Sequence, residues 1–184
     1  MELDPFHKGR STTINAAHPL LITTTIDPRI DSEVIGLRGI ELIVGSGQKG
    51  FFEVRCIKGN EEHIIIGLAT CEVDFFCRLG SAYEGIGWLS RGKVLLGHGM
   101  GATDLDVHNG RRLAPRFTTG DVLGLMVDCS EAPMLLFFVN GAKMGDMVFA
   151  EEVLGKVLFP AFTLRGDSEI EISLNPDLPA YAGV

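Results

Sequence analysis

One tryptophan, two tyrosines and four cysteines among 184 residues leave little room for a disulfide framework or an aromatic stacking platform. Cys56, Cys71, Cys77 and Cys129 include no closely spaced ligand pair. Reduced, buried thiols are the expectation, and Cys56, alternating with Glu53 and Arg55, belongs on the inward face of a strand. No run of residues approaches the roughly eighteen uncharged apolar positions of a membrane span. The N-terminal Met1-Glu2-Leu3-Asp4-Pro5 lacks the basic start and apolar core of a signal peptide, so an intracellular, soluble protein is expected. Basic residues are also scarce. Lys and Arg total 16 against 24 Asp and Glu, for a formal net charge of −8, which opposes sequence-independent binding to a phosphate backbone.

Familiar chemical signatures are missing as well. Gly45-Ser46-Gly47-Gln48-Lys49-Gly50 lacks the Gly-Lys-Ser/Thr ending of a phosphate-cradling loop and leads into a strand rather than a helix N-terminus. Gly97-His98-Gly99-Met100-Gly101 has the same defect. Ser46 and Ser130 sit in no nucleophile-elbow context, and no paired-histidine metal motif is present. Asp104, Asp106 and His108 alternate at strand spacing and offer half a metal site without a fourth ligand; any solvated strand face shows the same alternation. Neither a catalytic residue, nor a metal site, nor a cofactor is assigned.

What remains is abundant apolar material, 46% of the chain, cut into short runs by Gly, Asn and Asp. The runs are Leu20 to Ile26, Ile40 to Val44, Phe51 to Ile57, His63 to Thr70, Gly87 to Ser90, Lys93 to Leu96, Asp121 to Asp128, Met134 to Val139 with its return strand, Leu158 to Gly166 and Glu169 to Leu174. Their spacing predicts an all-β sandwich or barrel, one domain over 1–184 with loosely held tails at 1–8 and 177–184. In the last run Glu169, Glu171 and Ser173 alternate with Ile170, Ile172 and Leu174, which gives one wet and one packed face. Trp88, between Ile86 and Leu89, reads as core. A single helical turn is allowed around Ala150 to Leu154.

Asn140-Gly141 between two bulky apolar runs supplies the positive φ angles of a type I′ hairpin. With Phe137-Phe138-Val139 before it, Ala142-Lys143-Met144-Gly145 after it, Gly120-Asp121-Val122-Leu123-Gly124 upstream and Leu158-Phe159-Pro160-Ala161 downstream, the segment resembles the hallmark of SPRY domains. The resemblance continues through Gly50-Phe51-Phe52-Glu53-Val54, Ile65 to Thr70, Leu79-Gly80 and Gly85-Ile86-Gly87-Trp88, and covers roughly residues 10 to 176. The start, Leu3 to Phe6 with Ser11 to Thr23, is similar to the SPRY insert of a DEAD-box RNA helicase. Two stretches depart from the family pattern: Ser90 to Arg116 is longer and richer in glycine, and the closing strand ends Ser173-Leu174-Asn175-Pro176.

The resemblance implies an all-β sandwich of two antiparallel sheets that serves as a non-enzymatic protein-interaction module, whose partners dock where inter-strand loops converge at one end of the sandwich. Carried over by position, that surface comprises Arg29 in the turn at 27–29, Thr70, Phe75, Arg78, Arg165 and Gly166. One aromatic and forked guanidinium donors suit a short acidic or backbone-rich peptide. The second reading is association with RNA in a ribonucleoprotein or RNA-processing assembly, through Arg111, Arg112 and Arg116. The charge distribution allows a local basic face that suits an acidic peptide better than a duplex, since Trp88 to Gly120 holds five basic and two acidic residues whereas Asp146 to Asp177 holds two basic and seven acidic.

Overall fold

The computed structural model describes residues 12–15, 20–24, 33–36, 42–43, 49–59, 64–70, 79, 85–89, 92, 94–97, 102–105, 116–130, 134–149 and 157–174. Among these there is no helix. The strands are β1 (Thr12–Asn15), β2 (Leu20–Thr24), β3 (Glu33–Gly36), β4 (Leu42–Ile43), β5 (Lys49–Lys58), β6 (Ile64–Ala69), β7 (Gly85–Leu89), β8 (Val94–Gly97), β9 (Ala102–Leu105), β10 (Val122–Asp128), β11 (Met134–Val139), β12 (Ala142–Phe149), β13 (Val157–Leu164) and β14 (Glu169–Leu174). They form two antiparallel sheets. The first has the order β1-β2-β14-β5-β10-β11-β12, and the second β3-β13-β6-β7-β8-β9 with β4 also paired to β13.

Period-two alternation sets the faces. In β5, Phe52, Val54 and Cys56 point inward and are at most 1% exposed, while Arg55 and Ile57 on the opposite face meet solvent. In β14, Ile170 and Ile172 are fully buried between half-exposed Glu169, Glu171 and Ser173, as the alternation predicts. The two inner faces meet through aromatic edges. Trp88 of β7 packs against Phe137 of β11 with centroids 5.0 Å apart, and Phe52 of β5 meets Phe162 of β13 at 6.1 Å. Each ring lies edge to face, the arrangement its quadrupole favours.

β6 departs from alternation, because all six of its residues are buried. Ile64, Ile66 and Leu68 belong to the main core; Ile65 and Ala69 join Leu79 and Ala161 in a second apolar cluster. The second sheet is therefore covered on its outer face too. A third cluster, Phe51, Met126, Leu136 and Phe138, is buried on the outer face of the first sheet, where the Phe51 ring crosses Gly124 and meets Phe138 edge-on at 5.6 Å.

The expected hairpin is present: Asn140 and Gly141 have φ of 52° and 78° between β11 and β12. Cys56 and Cys129 are buried free thiols, whereas Cys71, Cys77 and the helical turn expected at 150–154 lie outside the described residues. The sequence reading has no counterpart for β3, a four-residue strand that pairs with Thr163 and Leu164 through Val34 and Glu33.

Candidate functional site: one end of the sandwich

Strand register decides which residues share an end. In the β6–β13 ladder Ala69 faces Phe159 and Ile64 faces Leu164, so Thr70 leaves one end and Arg165 the other. Five residue steps separate the two pairs, about 17 Å of strand. Thr70 therefore does not share a surface with Arg165 and Gly166, contrary to the sequence expectation. Antiparallel neighbours reverse direction, so residues that both follow a strand must lie at opposite ends.

The Arg165 end can be followed through the ladders. Residues 165–168 join β13 to β14, where Glu169 pairs with Lys58. Val122 pairs with Arg55 and Leu123 with Val139, which brings Arg116 to Asp121 and the Asn140-Gly141 turn to the same end. β2 ends there and β3 begins there, so the connection carrying Arg29 departs from and returns to this end; Arg29 itself lies outside the described residues, as do Phe75, Arg78, Arg111 and Arg112. Arg165 and Gly166 of the expected peptide set are thus brought together with Arg116 of the expected RNA set.

The frame beneath these residues is densely hydrogen-bonded. Gly120 N–H donates to the Cys56 carbonyl at 2.7 Å and Cys56 N–H to the Asp121 carbonyl at 3.0 Å, extending the β5–β10 pairing past the strand. The Asp121 carboxylate accepts the Thr118 N–H at 2.8 Å and the Asn140 side-chain amide at 2.9 Å. Asn140 closes the circuit, because its side-chain oxygen accepts Val122 N–H at 2.9 Å and its own N–H donates to the Val122 carbonyl at 2.7 Å. Partial burial disfavours the Asp121 anion, but the bonds from Asn140 and Thr118 outweigh it and hold the pKa below the ordinary value. Phe117 locks the segment from the other side by inserting against Trp88, with centroids 5.3 Å apart.

The turn at 165–168 is equally preset. Ser168, fully buried, donates its hydroxyl to the Arg165 carbonyl at 2.7 Å and its N–H to the Gly166 carbonyl at 3.2 Å, and Gly166 takes a φ of 61° that favours glycine. Lys58 pairs with Asp167 across the turn, and that bond raises the lysine pKa. Arg116, Lys58, Lys143 and Gly141 are exposed, and Arg165 and Gly166 half-exposed, over this rigid base. The sequence reading did not single out Lys58 or Lys143. For Lys143 a signal is present, since it flanks the Asn140-Gly141 turn between paired strands; Lys58 ends β5 before a crossover to the other sheet and carries none.

No group of His, Cys, Asp and Glu among the described residues is arranged to hold a metal ion; Asp104 lies in β9, and Asp106 and His108 lie outside the described residues. No helix among them is long and apolar enough to cross a membrane.

Two seven-stranded antiparallel sheets with this strand order now meet the comparison with known families: the family model for the SPRY domain matches residues 49–177, well over half of the chain. The chain belongs to the SPRY domain family. Solved structures agree on the fold. The SPRY domain of human HERC1 superposes with a TM-score of 0.68 at 15% identity, covering 96% of this chain and 100% of that one. A human SPRY domain gives 0.64 at 16% identity, covering 92% and 98%, and the TRIM65 PSpry domain 0.64 at 13%, covering 92% and 89%. No curated protein sequence matches the chain. SPRY domains are non-catalytic modules that bind protein partners.

Proposed function

We propose that the chain captures a short segment of a partner protein at the Arg165 end of its sandwich. The observation that carries this reading is the convergence there of exposed cations on turns whose backbone hydrogen bonds are already made. Arg116, Lys143 and Lys58, the last paired with Asp167, lie at the same end of the sandwich as the Arg165-Gly166 turn, in a chain whose overall charge is −8. Binding to such a surface costs little ordering of the protein, because the turns are held by Ser168, Asp121 and Asn140. A guanidinium offers forked donors to a carboxylate, and the flanking turns supply backbone groups to an extended chain. An acidic segment fits this chemistry. Phe75, Arg78 and Arg29 remain part of the proposal as contributors from the neighbouring connections, and Thr70 does not.

The RNA reading gains no separate support. Its one described member, Arg116, shares the surface with Arg165, and an acidic chain opposes the phosphate attraction that RNA binding needs. A photo-crosslinking residue at position 165, compared with one at position 70, tests the proposal in cell extract. Crosslinks to one protein from position 165 and none from position 70 support it; crosslinks from position 70 alone, or to RNA alone, overturn it.

A further inference from the structure

Leu79 makes an unusual long-range attachment. It belongs to the connection between β6 and β7, which leaves β6 after Ala69 at the Thr70 end and enters β7 at Gly85 opposite Ala69. Yet Leu79 N–H donates to the Oγ1 of Thr163 at 2.9 Å in a buried bond, and Thr163 pairs with Ile65, near the Arg165 end of the ladder. Thr163 is 1% exposed, so this bond is shielded from water.

Two glycines make the seat. Gly67 and Gly87 are direct cross-strand partners, and the absence of side chains on them opens the outer face of β6 and β7. A Cβ on Gly67 would lie 3.0 Å from Leu79 Cδ2, and one on Gly87 would lie 2.6 Å from the Leu79 carbonyl oxygen. Leu79 is 1% exposed and clusters with Ile65, Ala69 and Ala161. Side chain, carbonyl and amide of one residue are thus each fixed by a different feature of the sheet.

We infer that Leu79 and Thr163 are positioning residues for the docking surface: their bond fixes Leu79 on the outer face of the second sheet, level with the residue two before Arg165. The inference rests on the docking reading for its purpose, though not for its geometry. A connection that starts and ends at the Thr70 end reaches toward the Arg165 end only if something holds it there. Leu79 directly follows Arg78, so the anchor sets where the residues preceding it are delivered. It also explains how a surface at one end can draw on a connection that begins at the other.

Amide hydrogen exchange on the free, full-length protein tests the anchor. Thr163→Val removes the acceptor while keeping the side-chain shape, and Leu79 should then exchange about tenfold faster or more, with Leu125 and Met126 in β10 unchanged. Thr163→Ser should restore protection. If Thr163→Val fails to fold, Gly87→Ala serves instead: its methyl group displaces the Leu79 carbonyl and should release the same amide. A photo-crosslinking residue at position 78 adds the functional arm. It should capture the partner captured from position 165 in the wild type and in Thr163→Ser, and lose it in Thr163→Val while position 165 still captures. A Leu79 amide that exchanges freely in the wild type, or is unaffected by both Thr163→Val and Gly87→Ala, overturns the anchor; unchanged capture from position 78 in a released variant overturns its positioning role. Failure of position 165 to capture any protein sinks the docking reading and leaves the exchange result standing.

Discussion

Asn140 and Asp121 hold each other across 19 residues, the Asn140 side-chain amide donating to Asp121 Oδ1 at 2.9 Å, and through that bond the β11–β12 turn is tied to the start of β10. One hairpin turn thereby becomes a fixed part of the surface at the Arg165 end. Asp121 also accepts from Thr118, so its loss releases two turns together.

Asp121→Ala should lower stability by roughly 1–2 kcal/mol, the scale of a charged hydrogen bond discounted for partial exposure. The sign of its pH dependence follows from the lowered pKa. A depressed carboxylate contributes stability above its unfolded pKa and loses it as pH falls through the folded value. The difference in urea midpoint between wild type and Asp121→Ala should therefore be constant from pH 7 to about 5 and shrink as pH falls through the ordinary value of 3.8 and below.

Gly141→Val should cost about 1–2 kcal/mol from backbone conformation alone, since φ is 78° and nothing lies within 4 Å of an added Cβ. Thermal melting reads the loss. Unchanged melting with lost partner binding would mean that the turn is a ligand contact rather than a structural element.

Gly67→Ala should be far more damaging, about 3 kcal/mol or more, because its Cβ would fall 1.7 Å from the Ile86 carbonyl oxygen in the neighbouring strand. The obstacle is backbone, which cannot swing aside as a side chain can. Chemical denaturation with tryptophan fluorescence is the direct measurement, since Trp88 sits in the adjoining strand and pairs with Ile66.

Cys56 should resist alkylation in the folded protein. Burial, reinforced by the nearby Asp121 charge, pushes its thiol up to about 12, so the thiolate is scarce at pH 8, and the side chain is 1% exposed. Iodoacetamide at pH 8 followed by peptide mass spectrometry should find Cys56 unmodified in the native protein and fully modified in urea.

The sandwich was legible in the sequence wherever one face is wet. Glu169 to Leu174 announced its two faces, and Asn140-Gly141 announced both its turn and its φ angles, because those signals are local. β6 was recognisable as a strand but not as one buried on both faces; its cover comes from Leu79, and nothing in the sequence states that Gly67 and Gly87 are partners. The site was harder for a related reason. Alternation reveals which face a residue takes, whereas the end it occupies depends on strand direction and order, so Thr70 and Arg165 could be grouped by analogy and then separated by register. Arg116 was assigned to a different function, yet Phe117 packed on Trp88 brings it to the same end.

The most direct test of docking at the Arg165 end is a titration of the captured partner segment against wild type, Arg165→Ala and Thr70→Ala, with circular dichroism as the control for folding. Arg165→Ala should weaken binding by roughly 1.5–3 kcal/mol, the scale of a hydrogen bond to a charged group, with Arg165→Lys only partly restoring it and Thr70→Ala leaving it unchanged. Full affinity in Arg165→Ala together with a loss in Thr70→Ala would contradict the account and move the docking surface to the opposite end of the sandwich.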